Sequence, residues 1–288
     1  MDYLNSSLDE DVLKQINKEV ALINQDYGLS TPGFLKDEIF ELLEKTGTLI
    51  FYPIDEKNLW GIYLCKDEKH YFVINSGIEL EKQVFAGAHE LAHSLDIAKV
   101  KFEIVTADLM TDYVDHNDFG ADIKKADLIA NRFAAELLVG NKILTEKFNE
   151  LPEIYDLSTK AVILSGIFLV PYKTIVKRFV ETRIITDSDE IEGLLDIDHK
   201  QIKSIAERHE CCRRNFDVSL EKRLGGYVNK ALMLYENELS TYEELGKQLE
   251  ILDKKPADFG IEDADFDVYD FLLRASESSE VEDDEEDE

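Results

Sequence analysis

The sequence predicts an α+β protein in which a small sheet with flanking helices comes first and helical modules follow. Runs rich in β-branched and aromatic residues indicate strands at residues 48–53, 59–65 and 71–75. A segment with helical periodicity follows them directly and contains the residues His89–His93. Beyond Gly140 the apolar residues recur almost only at helical spacing. Together these observations predict a mixed first part and a mainly α-helical remainder.

The stretch His89-Glu90-Leu91-Ala92-His93 is the most informative part of the chain. Residues four apart lie one turn above each other on a helix, so both imidazoles can bind the same ion. Glu90 lies one step round the helix, where its carboxylate can take a proton from a metal-bound water. A core-facing stripe supports the helix and consists of Val84, Phe85, Ala88, Leu91, Ala92 and Leu95. The pattern is typical of zinc proteases and predicts one Zn²⁺ per chain in a zincin-like domain.

A catalytic zinc ion needs a third protein ligand and an open position for water. The longer motif with a third histidine nearby is absent, because Asp96 and Lys99 stand where its glycine and histidine would be. We therefore expect the third ligand in residues 126–138, which read ADLIANRFAAELL. A buried stripe is predicted there from Ile129, Phe133, Leu137 and Leu138.

Within this second helix, Asp127 and Asn131 share a face with Ala130 and Ala134. The alanines would allow a close approach to the first helix, so Asp127 is the expected third ligand. Asn131 is expected to form a hydrogen bond that fixes a histidine ring or Asp127 itself. Glu136 is the competing ligand, but it lies on a different face and is expected to point to solvent.

The two motifs in tandem have a known counterpart. Four segments carry a resemblance to one known family, and in chain order they read EIFELLEKTGTLIFYPI, LWGIYLCKDEKHYFVINSG, FAGAHELAH and ADLIANRFAAELLVG. Over about residues 30–190 the chain resembles the ImmA/IrrE metallopeptidases. Asp127 stands where that family usually has a glutamate ligand, and Val139-Gly140 replaces its usual Met-Pro. The resemblance implies a zinc metallopeptidase in which the shorter carboxylate requires the two helices to lie closer together.

The domain organisation is predicted from the change in pattern after Gly140. We expect a zincin-like metallopeptidase domain at 1–145, a helix-turn-helix-like module at 146–200, a C-terminal helical module at 201–272 and an acidic disordered tail at 273–288. The second of these contains ILSGIFLVPYKTIVKRFVETRII, with a predicted turn at Val170-Pro171. In the third, Ser240 or Thr241 is expected to cap a helix.

Charge argues against nucleic acid as a partner. The chain carries 62 acidic and 32 basic residues, and removing the nine acidic residues of 277–288 from the net charge of −30 leaves −21. Phosphate would be repelled, so we expect no direct nucleic-acid binding and a basic protein partner instead. The chain has no apolar run of about 18 residues and no signal-peptide pattern at its start, so we expect a cytoplasmic protein without membrane contact.

These features predict a zinc-dependent endopeptidase that makes a limited cleavage in a protein regulator. Glu90 would act as general base towards the water and then as general acid towards the leaving amine. Tyr113 and His116, between the two ligand segments, are candidates for stabilising the oxyanion. The family resemblance implies a helix-turn-helix repressor as substrate, with derepression of a mobile element, a phage or a stress response as the outcome.

Two alternatives remain open at the level of sequence. The protein could be a non-catalytic acidic anti-repressor that imitates DNA, which the charge fits equally well. A general base beside two metal ligands would serve no purpose in such a binder, so Glu90 argues against it. The protein could also be a toxin-like protease controlled by a partner.

Overall fold

The computed structural model describes residues 8–28, 33–95, 97–98, 108–109 and 121–262. The chain forms two compact units that divide after Gly226. The boundaries predicted at residues 145 and 200 both fall inside the first unit, because one hydrophobic core extends from Ile16 to Cys212. The predicted acidic tail, residues 273–288, lies outside the described residues.

The predicted α+β class is confirmed. Helices of the first unit are α1 Glu10–Asp26, α2 Ile39–Thr46, α3 Leu80–Ser94, α4 Ala121–Leu138, α5 Asn141–Glu150, α6 Leu157–Phe168, α7 Tyr172–Glu181, α8 Ser188–Leu195 and α9 His199–Arg208, with 3₁₀ turns at Lys36–Glu38 and Arg213–Phe216. Its strands are β1 Thr48–Tyr52, β2 Leu59–Lys66, β3 Lys69–Asn75, β4 Asp108–Leu109 and β5 Arg223–Leu224. The second unit contains α10 Tyr227–Glu236, α11 Tyr242–Glu250 and a 3₁₀ turn at Pro256–Phe259.

The five strands form one mixed sheet in the order β4-β2-β3-β1-β5. Strand β1 is parallel to β3, whereas β2 is antiparallel to β3 and to β4. The three strands predicted from composition are confirmed. Strand β5, antiparallel to β1, departs from the expectation of helices almost alone after Gly140. Two paired residues are too short for the alternation that identifies a strand in sequence.

Helix α3 lies at the centre of the first unit. It contacts strands β2 and β3, helices α2 and α4, and the 3₁₀ turn that contains Asn215. Every residue from Gln83 to His93 is buried as a result. The predicted core-facing stripe is buried with it, apart from the partly buried Leu95. The polar motif of this helix is therefore enclosed within the core and does not lie on a solvated face.

Helices α6 and α7 form the predicted helix-turn-helix-like element. Asp156 caps α6 by accepting a hydrogen bond from the backbone of Thr159, and Leu169 ends it in the left-handed conformation. Pro171 then begins α7, and the two helices meet at 109°, within the range usual for a helix-turn-helix.

Within the described residues no single helix is long and apolar enough to cross a membrane. Helices α6 and α7 reach the necessary length and apolar composition only when they are taken together, and they are bent by 109° at the turn between them.

The second unit has a small core of its own. Ala231, Leu245 and Leu249 are buried in it. Of the two residues predicted as possible caps of α11, Thr241 is the one that caps the helix. Its hydroxyl accepts a hydrogen bond from the Glu244 backbone N–H, and the Glu244 carboxylate accepts one from the Thr241 backbone N–H.

Candidate metal centre

Two helices from different parts of the chain provide the candidate metal ligands. Helices α3 and α4 contact each other, and Ala88 and Ala92 of α3 and Ala130 and Ala134 of α4 are all fully buried. The predicted stripe of α4 is also buried and comprises Ile129, Phe133, Leu137 and Leu138. Alanines at a helix contact allow the backbones to approach closely, which is the condition that a short aspartate ligand requires.

His89, His93 and Asp127 form a group that could hold a metal ion. The two Nε2 atoms are 3.0 Å apart, and His93 Nε2 is 3.7 Å from Asp127 Oδ1. Bonds of about 2.0–2.1 Å in a tetrahedral zinc site place ligand atoms about 3.3 Å apart. Both separations lie close to that value, so the three side chains need only small adjustments to coordinate one ion.

Hydrogen bonds at the opposite ring nitrogens orient both imidazoles. His89 Nδ1 donates to Asn131 Oδ1 at 3.1 Å, and His93 Nδ1 donates to the Ala98 carbonyl at 3.1 Å. A ring that donates from Nδ1 in its neutral form carries its lone pair on Nε2. Two such lone pairs facing each other repel unless a proton or a cation lies between them. This donor arrangement suits a divalent metal ion, and Asn131 makes a hydrogen bond to a histidine ring of the kind predicted for it.

The burial of the ligands is uneven. His89 and His93 are each 1% exposed, whereas 37% of the Asp127 side chain is accessible to solvent. The Asp127 side of the site is therefore open within the described part of the chain. Two imidazoles and one carboxylate are three possible protein ligands for a metal ion, and the accessible side leaves room for a further ligand.

Glu90 lies against the sheet. It is fully buried, and its carboxylate lies over Gly61 of β2. A Cβ atom at position 61 would come within 2.7 Å of Glu90 Oε1 and 2.9 Å of Glu90 Cγ. The glycine therefore leaves the space that the glutamate side chain occupies, and it fixes the depth at which Glu90 lies.

The prediction that Glu136 points to solvent is wrong. Glu136 is 6% exposed, and its two oxygens accept hydrogen bonds from Arg178 of α7 at 2.9 and 2.8 Å. Arg132 donates to the same carboxylate at 2.6 Å. The face of α4 that carries Glu136 meets another helix and not water, and the two guanidinium groups keep its carboxylate in a structural ion pair.

A third buried carboxylate lies on α3 near the start of the helix. Glu81 accepts a hydrogen bond from Asn215 Nδ2 at 3.0 Å. Burial, with a smaller contribution from the nearby Glu79, raises the pKa of Glu81 to about 8 against the opposing effects of Asn215, Lys82 and Lys203. This carboxyl group is therefore mostly protonated at neutral pH and takes no part in the metal site.

Two contributors to the site were not predicted from the sequence. The Ala98 carbonyl is a backbone group, and no residue type signals its role. Gly61 did carry a signal, since an isolated glycine inside a strand often marks the close approach of another group. The candidate oxyanion donors Tyr113 and His116 lie outside the described residues.

Comparisons of the chain with models of protein families, with curated proteins and with solved structures gave no match.

Proposed function

We propose that the protein is a zinc-dependent endopeptidase of the ImmA/IrrE type, with one zinc ion bound by His89, His93 and Asp127. The observation that supports this most strongly is the pair of oriented imidazoles, with Nε2 atoms 3.0 Å apart, next to a carboxylate oxygen. Two imidazoles and a carboxylate also suit iron. The choice of zinc comes from the glutamate that follows the first histidine, which is the arrangement of zinc peptidases.

In this proposal the ion and the protein have separate tasks. When bound, zinc supplies a Lewis acid that polarises the scissile carbonyl and lowers the pKa of a coordinated water. Glu90 accepts a proton from the attacking water and delivers it to the leaving amine, so that hydrolysis yields one new carboxylate and one new amine. Asn131 and the Ala98 carbonyl keep the imidazoles oriented while the proton moves.

The proposed substrate is a basic DNA-binding repressor with a helix-turn-helix domain. The net charge of −30 would attract such a protein and accelerate its association at low salt. The motif resemblance supports the same class of substrate. Cleavage within the repressor would relieve repression of its target genes.

The acidic composition also supports a second candidate, a non-catalytic anti-repressor that occupies the DNA-binding surface of the repressor. Both candidates predict binding to a basic partner. They differ in whether Glu90 is needed, because occlusion requires no general base.

Substitution of Glu90 by glutamine separates the two. The amide keeps the size of the side chain but cannot accept the proton, so turnover should fall by about 10²–10⁴-fold while zinc content and repressor binding persist. The zinc-loaded wild type and Glu90→Gln are incubated with helix-turn-helix repressors encoded beside the gene, and repressor length and promoter activity are followed. A peptidase shortens the repressor only when Glu90 is present. An intact repressor with equal derepression by both forms would refute the peptidase proposal.

A further inference from the structure

Two adjacent cysteines lie close together in the first unit, away from the metal centre. The Sγ atoms of Cys211 and Cys212 are 3.5 Å apart. Neighbouring side chains in an extended segment point to opposite faces, which normally separates such a pair. Here Cys212 has the left-handed conformation, with φ 59° and ψ 18°, and the segment turns so that both sulfur atoms lie on the same side.

The surroundings of Cys212 hold it in this position. The residue is buried, and its Sγ atom lies 2.7 Å from the Val162 carbonyl oxygen of α6. A Cβ atom at Gly166 would come within 2.6 Å of the Cys212 sulfur and 2.9 Å of its backbone nitrogen. Helix α6 therefore packs directly against Cys212, whereas Cys211 remains partly exposed.

The two thiols also differ in acidity. The hydrogen bond from Cys212 lowers the pKa of the Cys211 thiol. The same hydrogen bond, followed by burial, raises the pKa of Cys212. The accessible sulfur is thus the one that is more readily deprotonated, and the thiolate is the form of cysteine that reacts with oxidants.

We propose that Cys211 and Cys212 form an oxidisable dithiol that closes to a vicinal disulfide on reaction with a hydroperoxide. The Cys211 thiolate attacks one peroxide oxygen, the O–O bond breaks, and the products are a Cys211 sulfenic acid and an alkoxide or hydroxide. The Cys212 sulfur then attacks the sulfenic sulfur, the S–O bond breaks, and water leaves with the Cys212 proton. The two thiols lose two electrons in total, and the hydroperoxide gains them.

The position of the pair connects this chemistry to α3, the helix that carries two of the three candidate metal ligands. The 3₁₀ turn Arg213–Phe216 begins directly after Cys212, and within it Asn215 donates to Glu81 of α3 and to the Ser165 carbonyl of α6. Ring closure therefore takes place in the segment that joins α3 to the helix-turn-helix-like element. The reactivity of the pair does not depend on the proposed peptidase activity.

The test uses the full chain, hydrogen peroxide and peptide mapping. Cleavage by trypsin after Arg208 and Arg213 releases both cysteines in the peptide 209–213, and cleavage after Lys57 and Lys66 releases Cys65 separately. After brief oxidation the protein is unfolded, alkylated and digested. The peptide 209–213 should be two hydrogens lighter and unalkylated, and a dithiol reductant should restore both thiols. Cys65 is exposed and serves as the internal control that stays alkylated.

The variant Cys212→Ser sharpens the result. Without its partner, Cys211 should accumulate as a sulfenic acid that dimedone traps, and dimedone should trap little in the wild type. A dimedone adduct or a sulfinic acid at Cys211 in the wild type, without the lighter peptide, would overturn the proposal. So would equal alkylation of Cys65, Cys211 and Cys212 after oxidation, and this outcome can be read without any variant that has to fold.

Discussion

Helix α4 carries two carboxylates, Asp127 and Glu136, that have opposite surroundings. Glu136 is buried and bound by the guanidinium groups of Arg178 and Arg132. Asp127 is partly exposed and lies 3.7 Å from His93 Nε2. A guanidinium carries its charge permanently and fills the acceptor sites of the carboxylate that it binds. Asp127 instead lies near the ring nitrogen Nε2 of His93, whose lone pair can bind a cation.

The comparison shows that surroundings, and not residue type, separate a structural carboxylate from a candidate ligand. Glu81 on α3 provides a third case, since it is buried beside the neutral amide of Asn215. Burial raises the pKa of this group to about 8 and the hydrogen bond from Asn215 opposes that effect only in part, so the group retains its proton at neutral pH. Helices α3 and α4 thus carry an ion-paired carboxylate, a protonated one and one that could bind a metal ion.

The largest expected effect comes from removing Glu136. Glu136→Ala leaves the fully buried Arg178 without its bidentate partner, and breaking a buried ion pair in this way costs about 3 kcal/mol or more of unfolding free energy. Asp127→Ala, on the same helix, should change the unfolding free energy by only about 0.5 kcal/mol when a chelator removes metal. Urea unfolding with chelator present measures both. Equal losses in the two variants would remove the distinction between the carboxylates.

The next effect concerns Glu81 and depends on pH. Unfolded protein releases the Glu81 proton near pH 4.5, whereas the folded protein keeps it up to about pH 8. Between these values the folded state binds more protons, so its stability falls as pH rises, by up to about 1.4 kcal/mol per pH unit. The glutamine of the Glu81→Gln variant cannot ionise, so the unfolding free energy of this variant does not fall with pH for this reason.

Unfolding of wild type and Glu81→Gln is therefore compared with chelator at pH 5.5 and pH 7.5. The stability of the variant relative to the wild type should rise by about 2 kcal/mol between the two conditions. An unchanged difference would mean that Glu81 is ionised in the folded protein.

A smaller effect is expected at Asn131. Asn131→Ala removes the acceptor for His89 Nδ1, and loss of such an orienting partner weakens metal binding by about 10–100-fold. Asn131→Asp keeps an acceptor oxygen in place and should bind zinc with affinity close to that of the wild type. Competition with a chromophoric chelator gives both affinities. If the alanine variant bound zinc as tightly as the wild type, the hydrogen bond would not orient the ring.

Local patterns were sufficient to predict the central part of the fold and to bring together the three residues of the candidate metal site. The three strands, the helix of His89 and His93, and the facing helix of Asp127 and Asn131 all follow from periodicity and spacing within short segments. Both helices also carry alanines next to the candidate ligands, which the sequence displays directly.

The features that were not predicted depend on distant parts of the chain. Arg178 meets Glu136 from a separate helix, and a sequence read in windows does not indicate that the two pair. The ring of His93 is fixed by a backbone carbonyl, which any residue could provide. The single core from Ile16 to Cys212 likewise results from packing between helices whose separate patterns suggested separate modules.

The most direct test of the account is the zinc affinity of a matched pair of variants. Asp127→Asn and Glu136→Gln each remove one negative charge from helix α4 without changing the size of the side chain. Wild type and Glu136→Gln should bind one zinc ion per chain with similar affinity, and Asp127→Asn should lose more than the roughly 100-fold expected for an orienting partner. Full zinc affinity in Asp127→Asn together with its loss in Glu136→Gln would contradict the assignment of His89, His93 and Asp127 as the metal centre.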